Sequence, residues 1–298
     1  MMKQENEADE FAKARPRLMG LAYRFLGSIS DAEDAVQDTY LKWNTANQHE
    51  IRNAGAWLAK VCSHRCLDIL KSAHKARVSY VGMWLPEPVF TRLDDATEDQ
   101  VALASSLNTA FLLLLERLTP KERAAYLLHD IFGHSYEEIA EILQASEVAC
   151  RKLVSRARPH VGSCHNRYLV HEDRQQQLLD AFQTAITAGE VAQLENLLAE
   201  DIILSADSGG KVVAVRKPVK NKSAVISFIG EILFGAWQHS HMVFSELNGQ
   251  KAILMCDDNK VTAAVSFQYG ARNLVQGIYI MRNPEKLARL ARHELLLH

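Results

Sequence analysis

Basic side chains are the residues of this chain best placed to do chemistry, and that chemistry is the binding of phosphates and base edges. Between Ser146 and Arg167 five Lys/Arg stand against one acid, a local charge of +4. Arg151, Lys152, Ser155, Arg156 and Arg158 fall on a segment of helical spacing. Before it come a short amphipathic stretch, with Ile139, Ala140 and Leu143 inward, and the turn Gln144-Ala145-Ser146. A short helix, a three-residue turn and a basic second helix make a helix-turn-helix, which lays its second helix in the major groove. On that reading Arg151 and Lys152 reach base edges, Ser155 lies one turn on, and Arg156 and Arg158 hold phosphates. Val148, Leu153 and Val154 pack inward. The plain alternative is a solvated basic helix in a bundle.

A second basic stretch runs from Ile51 to Tyr80, with six Lys/Arg, one acid and a charge of +5, and with Trp57 and His64 interleaved. Cations among rings suit single-stranded or melted nucleic acid, whose bases stack on aromatic faces. Trp57 also fits an inward stripe with Leu58, Val61 and Leu67, so packing competes for that ring. Ser28–Thr39 is the opposite, with Asp31, Glu33, Asp34 and Asp38 and no Lys or Arg. Such a segment should turn away from DNA and toward a protein with a basic surface. Three of its four acids also complement a helix N-terminus.

Catalysis has less support. Asp207, His239, His241 and Asp257 are the candidate acid–base groups of the C-terminal half, and none falls in a motif that specifies catalysis. Five cysteines, an odd number without paired spacing, argue against a disulfide framework. Cys62, His64 and Cys66 come nearest to a metal set. Without a second pair they read as reduced thiols, and neither metal nor cofactor is expected.

The spacing predicts helices over Phe11–Phe25, closed by Gly27, and from Ser30 to about Trp43, with Glu33 completing a capping box. Further helices follow over Ala54–Ala73, Val101–Glu116, from Thr119-Pro120 to Phe132-Gly133, from Ser135 (with Glu138) to Leu143, and from Glu147 to Arg158, stopped by Pro159. Val81 onward, with Pro86, Pro88 and the acids Asp94, Asp95, Glu98 and Asp99, reads as an extended linker. Helices Glu172–Ala188 and Val191–Leu198 precede strands at Ile202–Ala206, Val212–Val215, Met242–Leu247, Ala252–Cys256, Val261–Tyr269 and Leu274–Met281. Hairpin turns are expected at Gly209-Gly210, Asn248-Gly249 and Asp258-Asn259, with one helix at Ser223–Phe234. The fold class is therefore multidomain: all-α first, then α+β, with a boundary near residue 170. A length of 298 residues, 48% hydrophobic content and a net charge of -2 fit about two domains and exclude bulk disorder. No apolar run reaches 18 residues, and the acidic start Met1–Glu10 is unlike a secretory signal. A soluble, cytoplasmic protein with no membrane partner is expected.

Five segments carry a resemblance: Asp31-Ala-Glu-Asp-Ala-Val-Gln-Asp-Thr-Tyr-Leu-Lys-Trp43, Ala56-Trp-Leu-Ala-Lys-Val-Cys-Ser-His-Arg-Cys-Leu-Asp-Ile-Leu70, Leu118-Thr-Pro-Lys-Glu-Arg-Ala-Ala-Tyr126, Tyr136-Glu-Glu-Ile-Ala-Glu-Ile-Leu143 and Ser155-Arg-Ala-Arg158. In order and spacing, over residues 9–162, they resemble an extracytoplasmic-function (ECF) RNA polymerase sigma factor. The resemblance implies a sigma domain 2 over 1–80. Its first helix binds core polymerase through Asp31, Glu33, Asp34, Gln37, Asp38, Leu41 and Trp43. Its second melts and reads the −10 element through Arg52, Asn53, Trp57, Lys60, His64 and Arg65. A linker over 81–107 then leads to sigma domain 4 over 108–168, which reads the −35 element through Arg151, Lys152, Ser155, Arg156 and Arg158.

Three more motifs are Trp84-Leu85-Pro86-Glu87-Pro88, Asp207-Ser208-Gly209-Gly210-Lys211 and Asn283-Pro284-Glu285-Lys286-Leu287. They resemble the ECF subgroup with a SnoaL-like C-terminal domain, a ketosteroid-isomerase-like cone, here 170–298. That subgroup usually carries Gly at position 208 and Asp at position 285. Its C-terminal domain is thought to regulate the sigma part in cis through these motifs, in place of a separate anti-sigma protein. The implied partners are core RNA polymerase and promoter DNA, with room for a small ligand in the cone; no enzymatic activity is implied, and a monomer suffices. Two alternatives remain: a helix-turn-helix repressor with a ligand-binding C-terminal domain, and an isomerase- or hydrolase-like C-terminal half. The repressor would dimerise on a palindrome and would need neither the Asp31–Trp43 helix nor the basic helix at 56–70.

Overall fold

Helix ends set the plan of the N-terminal half. The computed structural model describes residues 2–47, 50–78, 80–90, 108–162, 170–258 and 260–294. The expected acids Asp94 to Asp99, the helix onset near Val101, Cys164 and Arg167 lie outside the described residues. The chain forms two units: Met1–Ser79 with Leu112–Ser163, and Tyr80–Phe111 with Cys164–His298.

In the first unit α1 (Met2–Leu26) ends at Gly27, whose φ of 65° returns its N–H to the Tyr23 carbonyl. α2 (Ile29–Thr45) begins at once, capped by the Ser28 hydroxyl, which accepts the Asp31 N–H. The cap expected at Ser30 thus falls two residues early. The reversal at Gly27 leaves Ser28 in extended backbone, and Ser30 is already helical. α3 (Ala54–Val78) outlasts the expected end at Ala73 by more than a turn. After α4 (Thr109–Leu115), α5 (Pro120–Tyr126) opens in the reciprocal box of Thr119 and Glu122 and continues through one π turn, Leu127–Ile131. α6 (Tyr136–Leu143) opens in a second such box, Ser135 with Glu138. α7 (Glu147–Val161) is capped by Ser146. Pro159 does not stop α7: in the last turn its missing N–H removes a single bond, and Gly162 closes the helix on the Arg158 carbonyl.

In the second unit the layers come from α8 (Glu172–Ala188), α9 (Ala192–Glu195), β1 (Leu198–Asp207), β2 (Val219–Lys220), α10 (Lys222–Ser227), α11 (Phe234–Trp237), β3 (His241–Leu247), β4 (Gln250–Asp257), β5 (Lys260–Tyr269), β6 (Val275–Met281) and α12 (Pro284–Glu294). The sheet order is β2-β1-β6-β5-β4-β3, with β1 and β6 parallel and every other pair antiparallel. Strand alternation assigns Ile253, Met255, Val265, Phe267, Ile278 and Ile280 to one core with Phe182, Val225 and Trp237 of the helices. Ala264, Ser266, Tyr279 and Met281 alternate with them and face the other way.

Three local expectations fail here. Val212–Val215 is not a strand: Val213 is 88% exposed, and its carbonyl accepts from the Arg282 guanidinium instead of a ladder. Gly209 and Gly210, both at positive φ, turn the chain but close no hairpin, because β1 pairs with the later β2. The helix expected over Val191–Leu198 shrinks to one turn, because Leu198 already pairs with Val275. Asn248-Gly249, at φ 52° and 71°, does make the two-residue turn between Leu247 and Gln250. Helical domains followed by an α+β domain with a mixed sheet is the class the sequence implies. Ser135→Ala removes one half of the α6 capping box. It should lower the stability of the first unit by about 1 kcal/mol in urea unfolding, with the m-value unchanged.

Candidate nucleic-acid surface and linker seat

α6 and α7 form the helix-turn-helix. Gln144, at φ 50°, makes the left-handed exit from α6, and Ser146 caps α7. Ile139, Ile142 and Leu143 are buried, and so are Cys150, Val154, Ala157 and Val161 of α7. The inward face is therefore not the one expected. Val154 belongs to it, Leu153 is half-buried, and Val148 is 62% exposed.

Arg151, Lys152, Ser155, Arg156 and Arg158 are all exposed. They are not equivalent. Arg158 makes a two-pronged ion pair with Asp130, at 2.9 and 2.8 Å, and this raises its pKa further. Arg151 lies 4.4 Å over the Tyr136 ring and 3.4 Å from Glu147. Lys152 and Arg156 carry no ion pair among the described residues. They are the cations most available to phosphate.

α3 positions the other basic set. Asn53 caps it, taking the Ala56 N–H at 3.0 Å. Arg52 is exposed and Trp57 half-buried, its ring 5.5 Å from that of Trp43. Lys60 reaches Glu141 of α6 at 3.1 Å, and Arg65 meets Asp38 of α2 at 2.5 Å. A cleft of about 550 Å³ separates α3 from α6, lined by Arg52, Trp57, Lys60, His134, Glu138 and Glu141. His64 has a buried Nε2 without a partner, and its pKa is lowered by burial first and by Lys60 next. On α2, Asp34, Gln37 and Leu41 share an exposed face, Leu41 at 55%; Asp31, Glu33 and Asp38 are half-buried, and Trp43 is buried. Trp43 thus packs inside rather than facing a partner, because a ring beside Trp57 leaves no surface to offer.

In the second unit the three motifs converge on one carboxylate. Asp207, at the end of β1, is fully buried. Its Oδ1 accepts from the Tyr80 hydroxyl at 2.7 Å and the Gly209 N–H at 3.0 Å. Its Oδ2 accepts from the Leu85 N–H at 2.9 Å and the Lys286 ammonium at 2.8 Å. Lys286 also donates to the Leu85 carbonyl at 2.6 Å and sits 4.4 Å over the Trp84 ring. Leu85, Pro86, Glu87 and Pro88 are all buried. Asn283 caps α12 ahead of Pro284 and donates to the Tyr80 hydroxyl at 3.0 Å. Lys211 pairs with Glu285, and Leu287 is buried. Ser208 keeps an ordinary φ, so Ser in place of the usual Gly is accommodated; Gly209 and Gly210 take the left-handed positions. A Cβ on Gly209 would lie 2.5 Å from the Asn283 amide.

Sequence reasoning missed Tyr80, whose pKa is raised by burial and by Asp207. It also missed Asn248, whose side chain and N–H pair with Val89. The space under the linker, about 10 Å³, admits at most one water. The four acid–base candidates do not converge. Asp207 is consumed by its donors, while His239, His241 and Asp257 are exposed. His241 opens β3, four strands from β1, or about 19 Å across the sheet. Among the described residues no group of three or more His, Cys, Asp or Glu could hold a metal, and no helix is long and apolar enough to cross a membrane.

Two outcomes follow. Lys286→Met leaves a buried carboxylate short of its cation and should cost about 3–5 kcal/mol, with Asp207→Asn recovering part of that loss in a double-mutant cycle read by urea unfolding. The lowered pKa of His64 means that the unfolded chain binds the proton more readily. Stability from this group is therefore present above the ordinary histidine value of about 6.5 and is lost as pH falls through the depressed folded value. Between pH 7.5 and 5.5 the wild type should lose more stability than His64→Gln.

The family comparisons agree with this geometry. The description "Sigma-70 region 2" matches residues 11–76, and "Sigma-70, region 4" matches residues 108–161. The chain is 38% identical to the ECF RNA polymerase sigma factor SigJ of Mycobacterium tuberculosis over 78% of its own length and 77% of that protein's. It is 28% identical to the probable ECF RNA polymerase sigma factor SigI of the same species over 92% of both chains. The crystal structure of SigJ superposes with a TM-score of 0.73 at 31% identity, covering 94% of this chain and 97% of that one. Sigma factors bind core RNA polymerase and promoter DNA and direct promoter-specific initiation, and by its sequence, its helix-turn-helix and its fold this chain belongs to the ECF RNA polymerase sigma factors.

Proposed function

We propose that the C-terminal domain regulates this sigma factor in cis by holding the linker that joins region 2 to region 4. The observation that carries this is the buried Asp207 carboxylate, which takes two of its four donors from the linker, Tyr80 and Leu85. Region 2 ends at residue 76 and region 4 begins at 108, so the seated residues 80–90 lie on the covalent path between the two DNA-binding modules. Released, those residues could take any span up to roughly 36–40 Å, whereas the seat holds them to one path. Seat occupancy therefore controls how the two modules can be spaced on a promoter.

Arg52, Trp57 and Lys60 serve −10 recognition, with Asn53, His64 and Arg65 positioning that helix. Lys60 pairs with Glu141, so engaging the −10 strand requires α3 and α6 to part. Lys152, Ser155 and Arg156 serve the −35 element, and Asp34, Gln37 and Leu41 face core polymerase. The scheme needs no separate anti-sigma protein and no catalysis. A small molecule would act by competing with the linker for its seat. The site of action is the cytoplasm, where polymerase and promoter meet.

In vitro transcription with core RNA polymerase tests the seat. Leu85→Asp puts a second carboxylate beside Asp207 and should change transcript yield several-fold while the start sites stay the same. A chain truncated after residue 170 should change yield in the same direction. Unchanged yield from Leu85→Asp, or opposite directions for the two variants, rules out the seat as the route of control.

A further inference from the structure

We propose that Val148 is a specificity-determining residue of −35 recognition, reading the 5-methyl group of one thymine. α7 buries Cys150, Val154, Ala157 and Val161, at spacings of four, three and four, and so fixes which side of the helix meets its own domain. Val148 lies two residues before Cys150, about 200° around the axis. It is 62% exposed and shares its face with Arg151, Lys152 and Ser155, at spacings of three, four and seven.

A single exposed valine is ordinary on a protein surface. This one stands in the first turn of the helix that a helix-turn-helix lays in the major groove, where the N-terminal residues meet base edges. Every base pair shows the major groove a distinct pattern, and the thymine methyl is its one apolar element. Val148 is the apolar member of a face otherwise made of two cations and a hydroxyl, so it is the residue on that face suited to the methyl group. The neighbouring cation is restrained. Arg151 is held on the Tyr136 ring and beside Glu147, which keeps its guanidinium over its own domain and leaves the groove side of the first turn to Val148. Val148 contributes little to the packing of its domain, so its substitution separates recognition from folding; Val148→Ala also improves helix propensity.

The test uses holoenzyme assembled from core RNA polymerase and the full chain, on the promoter it transcribes best from a genomic library. Each thymine of the −35 element is replaced in turn by deoxyuridine, which removes only the methyl group. At one position the wild-type holoenzyme should lose about fourfold in affinity, the weight of one buried methyl. Val148→Ala should lose about as much on the unmodified promoter and be indifferent to uracil at that position. The inference is overturned if Val148→Ala stays as sensitive to uracil as the wild type, if no thymine methyl matters to the wild type, or if the selected −35 element holds no thymine. It is equally overturned if Val148→Ala weakens assembly with core polymerase while methyl sensitivity persists.

Discussion

A buried carboxylate must be neutralised and its lone pairs filled, and the second unit is organised around meeting that demand at Asp207. Four donors from four places in the chain do so: a phenol, an ammonium and two backbone N–H groups. Each constrains an element. The ammonium requires α12 to begin where it does, which Asn283 and Pro284 arrange as cap and first residue. The Gly209 N–H requires a left-handed turn directly after β1. The Leu85 N–H requires extended linker backbone, which flanking prolines favour. Removing the ammonium would leave an uncompensated buried charge, while each of the other three donors fills a lone pair of the same carboxylate.

The first unit solves a related problem with a cation. Arg123 is buried to 2% exposure and donates to the Phe25 carbonyl, the Leu115 carbonyl and the Glu116 carboxylate. It fills acceptors that helix ends leave open, and in doing so joins the end of α1 to the start of the region 4 helices. Elsewhere the unit places acids against basic residues of its own helices: Glu141 on Lys60, Asp38 on Arg65, Asp130 on Arg158. Several of the basic residues thus have a protein partner when no nucleic acid is present.

Much of this architecture was legible in the sequence because its signals are local. Thr119-Pro120 with Glu122, and Ser135 with Glu138, are complete caps within four residues. Asn248-Gly249 is a turn in two, and the basic character of 146–158 is plain by counting. What escaped depends on packing and on how one element ends where the next begins. Val148 and Val154 look alike in a helical pattern, and only the packing of Cys150 and Ala157 decides which is inside. Ser28 displaced Ser30 as cap because Gly27 ended the previous helix so abruptly. Trp43 stands in a motif that suggests a partner, but its ring packs against Trp57. Tyr80 carries no motif of its own and matters only because Asp207, 127 residues later, is its acceptor. The Asp207 motif was readable as a turn, but its carboxylate could not be known as the hub from five residues.

The span between Leu85 and Lys286 also has a consequence in time. The bond between them joins residues 201 apart. A chain elongating at about 5–20 residues per second makes the lysine roughly 10–40 s after the leucine. Regions 2 and 4 are complete well before that, since both precede residue 162. Every newly made copy therefore passes through a nascent stage in which regions 2 and 4 exist and the linker between them still lacks Lys286. Asp207, Asn283 and Lys286 must all be made before the linker can take up the hydrogen bonds it has in the folded chain.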